Sequence, residues 1–577
     1  MSADSPLAGD PVGAAVVRAA LASTAREVFS QFVRTALTPT IYEAHDFSVA
    51  VFDDQVNVVA DASGLPEYVG SLTFTVERLV ERFGRSKIEP GDVLTCSDPF
   101  ITGGHPPDLA IVSPAFHDGR LVGFCALRGH VGDVGARNDY PADAHSIYEE
   151  GLVLPPLKLV SGGVFNEDVA KIIAANSRMP RETVGNVRSG VGATTQGARK
   201  LSRIVETHGE PTYRRAIADL LDGSELKVRE MLEAIPDGEY YAYDKVDETA
   251  IAGEEIALVC CVRINGSEIE VDVTGSDPVH DGALNVPLAQ TVAACRLALK
   301  RLTTQDSVPA NSGEYRSLRV VAPEGTIFNA QRPVGTFMMH VAASFLSEMI
   351  VTAVLPAIAD RAPAQSSGHT TAFTAGIETA YKHVSVDDIA PIGYGAQAGL
   401  DGESALEHFS IAGIPVASAE VWESKAPVLK KSIALVADSG GPGRWRGGLG
   451  TRVEWSFDAG ADVTLQSERT GDLAGGGLDG GLPGRGHNHV EVAPGTPDER
   501  RLGMSTDVRL KAGQNIVMHG AGGAGFGDPH ERDVEAVERD VRRGYVSIGA
   551  ARDDYGVVID PQTLTADEAL TAELRSR

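Results

Sequence analysis

The chain has 577 residues, more than one ordinary core accommodates, and its formal net charge of −28 repels phosphate backbones. With no basic tract to offset that field, nucleic acid is excluded as a partner, and 43% hydrophobic with 23% charged residues excludes a disordered chain. Glycine, at 63 residues, runs above its usual share and predicts many tight turns and close backbone approaches.

The chain opens MSADSPLAGDPV, without a basic segment followed by an apolar run, so no signal peptide is expected. Residues 17–37 place Val17, Leu21, Val28 and Phe32 near one helical face, limited downstream by Pro39. Phe47 to Phe52 and Val56 to Ala60 flank Asp53-Asp54-Gln55 as a hairpin, and a helix is expected near 74–83. Next, GDVLTCSDPF leads into a loop at Ile101 to Asp108. LAIVSPAF and LVGFCALR then flank His117-Asp118-Gly119-Arg120, where Asp118-Gly119 is a strong type I′ turn signal. A helix follows from about Glu167 to Ala175, and two more cover 204–235 with a break at Leu221-Asp222-Gly223-Ser224.

From about 237 the pattern turns to strands in YYAYDKV, EIALVCCVRI and SEIEVDVTGS. A helical run at 287–300, strands near 316–321 and a buried apolar helix at 334–359 come next. Its most apolar part, Met349 to Ala359, is half a membrane crossing, so no membrane span is expected. Residues 385–530 read as loop-heavy, with strands at 431–437, 450–456 and 514–519, before a charged helix at 531–543. The prediction is a multidomain α+β mixed fold with antiparallel hairpins, buried helices and a glycine-rich C-terminal part. Its boundaries are placed at 1–236, 237–384 and 385–577. Cys96, Cys125, Cys260, Cys261 and Cys295 match neither a paired CxxC zinc site nor a disulfide framework. They read as buried thiols in a reducing compartment, which makes the cytoplasm the expected location.

The strongest chemistry lies around the Asp118-Gly119 hairpin. His105-Pro106-Pro107-Asp108 sets an imidazole and a carboxylate three residues apart, and two prolines exclude an ordinary helix interior. Asp108 lies ten residues before Asp118, and His130 eleven after Gly119, so both arms return to one end of the ladder. His105, Asp108 and His130 therefore converge as a set suited to zinc, manganese or iron. Asp46, just before the first hairpin strand, is open as a fourth ligand, and Asp133 as a ligand or an acceptor that orients an imidazole. Ordinary turn hydrogen bonding is the competing reading. Glu150, in Glu149-Glu150-Gly151, is either a general base or half of a solvated turn pair. Leu473 to Gly486 and Gly520 to Gly527 lack a P-loop lysine and read as tight structural loops. Ser439 has no histidine near it in sequence and is not read as a nucleophile.

The linked order of several blocks is more specific than any one of them. Glu43-x-x-Asp46-x-Ser48, Gly91-Asp92-Val93, Ser97-Asp98-Pro99-Phe100 and Gly103-Gly104-His105-Pro106-Pro107-Asp108 come first. Gly129 to Gly135, Glu149 to Leu152, Asp281 to Asn285, Asn311-Ser312-Gly313, Asp438 to Gly443, Arg446 to Gly448 and Gly520 to Pro529 follow. In this order the sequence resembles the hydantoinase B/5-oxoprolinase family from about residue 17 to 560. The family includes B subunits of ATP-dependent hydantoinases, 5-oxoprolinases and caprolactamase, with related subunits of acetone and acetophenone carboxylases.

The resemblance implies a hetero-oligomer in which an A-type subunit binds ATP and Mg2+ and phosphorylates the carbonyl of a small cyclic amide. The B-type subunit, with a divalent metal on Asp46, His105, Asp108 and His130, then supports hydrolytic ring opening. Asp133 or Glu150 is expected to accept a proton. A ketone-carboxylase subunit is the alternative enzyme, and a structural or regulatory subunit the alternative without chemistry. Three places depart from the family pattern: Gly104, where relatives often insert threonine; Val131, which replaces a common second histidine; and Asp133 to Ala136, where relatives are richer in glycine. These put substrate identity, rather than the ligand set, in doubt.

Overall fold

Turn chemistry and apolar runs build the first sheet. The computed structural model describes residues 11–247, 249–251, 255–303, 310–358, 362–368, 371–471 and 476–576. Strands β1 (Phe47–Asp53), β2 (Val58–Ser63), β3 (Val93–Cys96), β4 (Asp108–His117), β5 (Arg120–His130), β6 (Leu157–Ser161) and β7 (Val164–Phe165) form an antiparallel sheet in the order β2-β1-β5-β4-β3-β6-β7. Asp118 and Gly119 both have positive φ, 47° and 73°, as the type I′ turn between β4 and β5 requires. The register pairs Asp108 with His130, and its irregularity falls between Ala115 and Phe116, too near the turn to disturb that end.

Every residue of β1 is buried, because helices cover both faces of this sheet. Helices Pro11–Thr35 and Pro180–His208 pack on one face through Val17, Leu21, Val187 and Leu201, and helix Pro66–Phe83 on the other through Leu72, Val76 and Leu79. Helix Pro66–Phe83 starts well before the expected 74, and Pro99–Thr102 adds a helical turn where a loop was expected. The expected break at 221–224 is also absent. Helix Pro180–His208 ends at Gly209 (φ 78°), and Glu210–Glu233 runs on through Gly223. Leu221, Ser224 and Val228 bury one face there, so tertiary packing overrides the weak local propensity.

The second sheet, in the order β11-β10-β9-β8, comprises β8 (Gly238–Val246), β9 (Ile256–Asn265), β10 (Glu268–Asp272) and β11 (Leu318–Val321), with β10 and β11 parallel. Helices Leu288–Thr303 and Met339–Ile358 share its core. Met339–Ile358 is long and apolar enough to cross a membrane, yet here it is packed inside the protein. It begins later than the predicted 334 because the amides of Thr336 and Phe337 donate to Glu150 instead of a helical ladder. Ala359 lies outside the described residues.

The C-terminal part holds more strand than expected. β12 (Thr371–Glu378), β13 (His383–Ala390), β14 (Val428–Leu435), β15 (Thr451–Phe457), β16 (Ala461–Ser467), β17 (His489–Val492), β18 (Arg500–Leu502), β19 (Ser505–Leu510) and β20 (Gln514–His519) make two sheets. Their orders are β13-β12-β16-β19 and β14-β15-β20-β17-β18, and Phe373, Val463, Trp455 and Ile516 contribute to a shared core. Beside them, glycine-rich segments pack backbone against backbone. Gly441 N donates to Gly523 O (2.8 Å), Gly523 N to Gly448 O (3.0 Å) and Gly525 N to Leu482 O (2.9 Å). A Cβ on Gly447, Gly448 or Gly484 would stand 1.8–1.9 Å from a neighbouring carbonyl oxygen, so only glycine fits. Both glycine-rich loops are thus structural in this fold, although residues 473–475 lie outside the described residues.

Candidate metal centre

Asp46 immediately precedes β1, Asp108 opens β4 and His130 closes β5, so adjacent strands deliver three side chains to one sheet edge. His130 N donates to Asp46 O (3.0 Å), which ties the two together at the backbone. His105 arrives from the Pro-Pro turn, where Asp108 N donates to His105 O (2.8 Å). His105 Nε2 stands 3.0 Å from Asp108 Oδ1 and 3.1 Å from His130 Nδ1, and His130 Nδ1 stands 3.8 Å from Asp108 Oδ1. Asp46 is the outermost donor, with Oδ2 3.9 Å from His130 Nδ1. Ligands about 2.0–2.2 Å from a tetrahedral ion stand about 3.3–3.6 Å apart, so His105, Asp108 and His130 are grouped closely enough to hold one small divalent ion, with Asp46 at the rim of the group.

The surrounding residues orient the donors. Phe337 O faces His105 Nδ1 at 3.1 Å, so an Nδ1–H tautomer donates there and leaves Nε2 for the centre. Arg128 Nη2 donates to Asp108 Oδ2 (2.8 Å), with both side chains 0% exposed. The Tyr68 hydroxyl lies 3.0 Å from both Asp46 Oδ1 and Asp108 Oδ1 and shares its one proton between them. Without a cation the groups perturb one another strongly. Burial and then the Asp108 charge push Asp46 upward. Burial also opposes charge on Asp108, yet His105 and Arg128 outweigh it and hold that carboxyl well below its ordinary range. Burial and the His105 charge push His130 down to about 4. A cation between these donors would relieve the repulsion between the Asp46 and Asp108 carboxylates.

The remaining predicted residues lie nearby in different surroundings. Asp133 is engaged by Arg178, whose Nη2, Nε and backbone amide all donate to it. Glu150 is fully buried, accepts from the amides of Thr336 and Phe337 and from Thr336 Oγ1, and is pushed up to about 7 by burial. Both expected proton acceptors are therefore occupied within the protein. Val131 is buried in the core and donates its amide to Pro107 O (3.0 Å). A Cβ on Gly104 would lie 2.3 Å from Arg128 Nη2 and 2.5 Å from Asp108 Oδ2, so this position needs glycine here.

Asp46, His105 and His130 line one part of a cavity of about 200 Å3, while Asp108 is fully buried and does not line it. Leu65, Phe337, Met339, Ile411, Ile414 and Trp422 give it apolar walls. Asp387 also lines it, accepts from Thr40 Oγ1 (3.2 Å) and is pushed up to about 7 by burial. Sequence reasoning missed Tyr68, Arg128, Phe337 and Asp387. Only Arg128 carried a signal: a lone cation within the apolar run of β5.

The hydantoinase B/oxoprolinase family profile matches residues 10–529. The caprolactamase subunit beta of Pseudomonas jessenii is 31% identical over 583 residues, covering 97% of this chain and 98% of the relative. The crystal structure of the ATP-dependent caprolactamase from Pseudomonas jessenii superposes with a TM-score of 0.90 at 28% identity, over 99% of this chain and 100% of the other. A nucleotide-free acetone carboxylase structure shares the fold, with a TM-score of 0.89 at 19% identity over 98% and 82% of the two chains.

Proposed function

This chain belongs to the hydantoinase B/oxoprolinase family, which includes ATP-dependent hydrolases of cyclic amides, and from that premise we propose that it is the metal-dependent B-type subunit of a cytoplasmic cyclic-amide hydrolase. The observation that carries this reading is the His105, Asp108 and His130 cluster, with Asp46 beside it, at one end of a cavity with apolar walls that Asp46, His105 and His130 line. An ATP-binding A-type partner phosphorylates the amide oxygen, which raises the electrophilicity of the ring carbon. Water adds to that carbon, the C–N bond breaks and the nitrogen leaves as an amine. The resulting carboxyl phosphate yields phosphate and a carboxylate to a second water.

His105, Asp108 and His130, with Asp46 beside them, would hold a divalent metal, which would supply Lewis acidity there. The protein's own side chains do the rest. Arg128 and Tyr68 hold Asp108 and Asp46 in place, and the Phe337 carbonyl fixes the His105 tautomer. Glu150 positions Phe337 by holding its amide, and Asp133 positions the 133–138 loop through Arg178. The apolar walls exclude bulk water, and Asp387 is the proton carrier facing the cavity.

The test is co-expression with the A-type subunit and ATP turnover across hydantoins, 5-oxoproline, lactams and ketones, with labelled bicarbonate present. Ring opening coupled to ATP, abolished with loss of one metal equivalent in His105→Ala, is the expected result. Ring opening without ATP consumption, or label incorporated into a ketone, would overturn it.

A further inference from the structure

A second constellation of metal-ligating side chains lies on the fourth sheet. His489 on β17 is the direct cross-strand partner of His519 on β20, and Glu491 stands two residues further along β17. Val490 and Met518, 0% exposed, turn into the inter-sheet core, so strand alternation places all three residues on the opposite face. None of them lines the cavity of the first centre.

The atoms are arranged for an ion. Glu491 Oε1 stands 3.7 Å from His489 Nε2 and 3.4 Å from His519 Nε2, close to the about 3.3–3.6 Å edge of a tetrahedral zinc-type site. All three ligand atoms fall within 4.8 Å of one another. His487 O accepts from His489 Nδ1 (2.9 Å), fixing the tautomer that leaves Nε2 with its lone pair. His519 Nε2 is buried and forms no hydrogen bond of normal geometry, a cost that coordination removes. The rings stack in parallel, with centroids 4.3 Å apart and planes 5° apart, so capture must splay them slightly toward a common point. Arg452, the other cross-strand neighbour of His519, is taken up by Glu454 at 3.0 Å. The partial exposure of Glu491 (35%) and His519 (23%) leaves coordination positions open to water.

We propose that His489, Glu491 and His519 form a second, exchangeable site for a divalent ion of the zinc class, independent of the first centre. Two imidazoles and one carboxylate favour zinc, copper or nickel over magnesium or calcium. The experiment is calorimetric titration of the chelator-stripped full-length chain with zinc alone. Wild type is expected to show two classes of site. His519→Gln loses one class, Glu491→Gln weakens that class about tenfold or more, and His105→Ala loses only the other. Glu491 is partly exposed, so its substitution keeps the test informative even if His519→Gln unfolds. A single class in wild type that disappears in His105→Ala would overturn the proposal. So would two classes that both survive in folded His489→Gln/His519→Gln protein. Since each class is assigned by its own variant, loss of the second site is distinguishable from failure of the metal centre proposed above.

Discussion

Arg128 is fully buried, and among the described residues Asp108 is its carboxylate partner in direct contact. Its guanidinium also lies 4.0 Å from the Tyr68 ring centroid and donates to Thr102 O (3.0 Å), so it joins two walls of the metal centre. Removing one partner of such a pair leaves a buried charge uncompensated. Arg128→Met is expected to lose about 3–5 kcal/mol in urea unfolding, and Arg128→Met/Asp108→Asn less than the sum of the single changes. An additive double variant would contradict the pairing. Asp387 makes a different prediction because it faces the cavity and supports no ligand directly. Asp387→Asn should lower turnover of the assembled complex by about 10²-fold, with metal content unchanged. Activity at the wild-type level would remove it as the proton carrier.

Among elements, the β4–β5 hairpin was the most legible because its information is local: two positive-φ turn residues and two apolar arms fix the register that joins Asp108 to His130. Strands β12, β13 and β16 to β19 were not legible. Some of their pairings join distant segments, as in Thr371 with Ser467, and glycine-rich loops interrupt the periodicity even where the partner is local, as for β13 with β12. Tyr68 and Phe337 were hidden for the same reason, since nothing near them in sequence announces a ligand 40 or 232 residues away. Helix Pro180–His208 shows how position decides the meaning of a glycine. A Cβ on Gly197 would meet Cys125 Sγ at 2.4 Å and Val28 Cγ2 at 2.7 Å, whereas on Gly192 it meets nothing within 4 Å. Thermal denaturation should therefore show Gly197→Val destabilised by about 1–3 kcal/mol. Gly192→Ala should be stabilised by about 0.5–1 kcal/mol. Equal effects at the two sites would contradict this packing.

Among the described residues, buried acids bias stability toward low pH. Burial pushes Glu67 up to about 8, and Glu150, Glu314 and Asp387 to about 7. Each is protonated in the fold at pH values where the unfolded chain is ionised, so folding takes up protons. Stability then falls as pH rises from the ordinary carboxylate range, about 4, through about 7–8. The metal-free protein should melt at a lower temperature at pH 8.5 than at 5.5, and Glu150→Gln should flatten that slope. A melting temperature that rises with pH across this interval would contradict the assignment.

The glycine bundle carries a consequence for how the chain is made. Residues 520–527 complete it, because the Gly523 and Gly525 amides donate to Gly448 O and Leu482 O, and Gly523 also packs on Gly393, more than a hundred residues earlier. On a ribosome, the first sheet has all its strands by residue 165, while Gly393, Gly448 and Leu482 emerge long before the partners that close around them. The edge that carries Asp46, Asp108 and His130 therefore has its strands early in synthesis, and the C-terminal glycine loops close last.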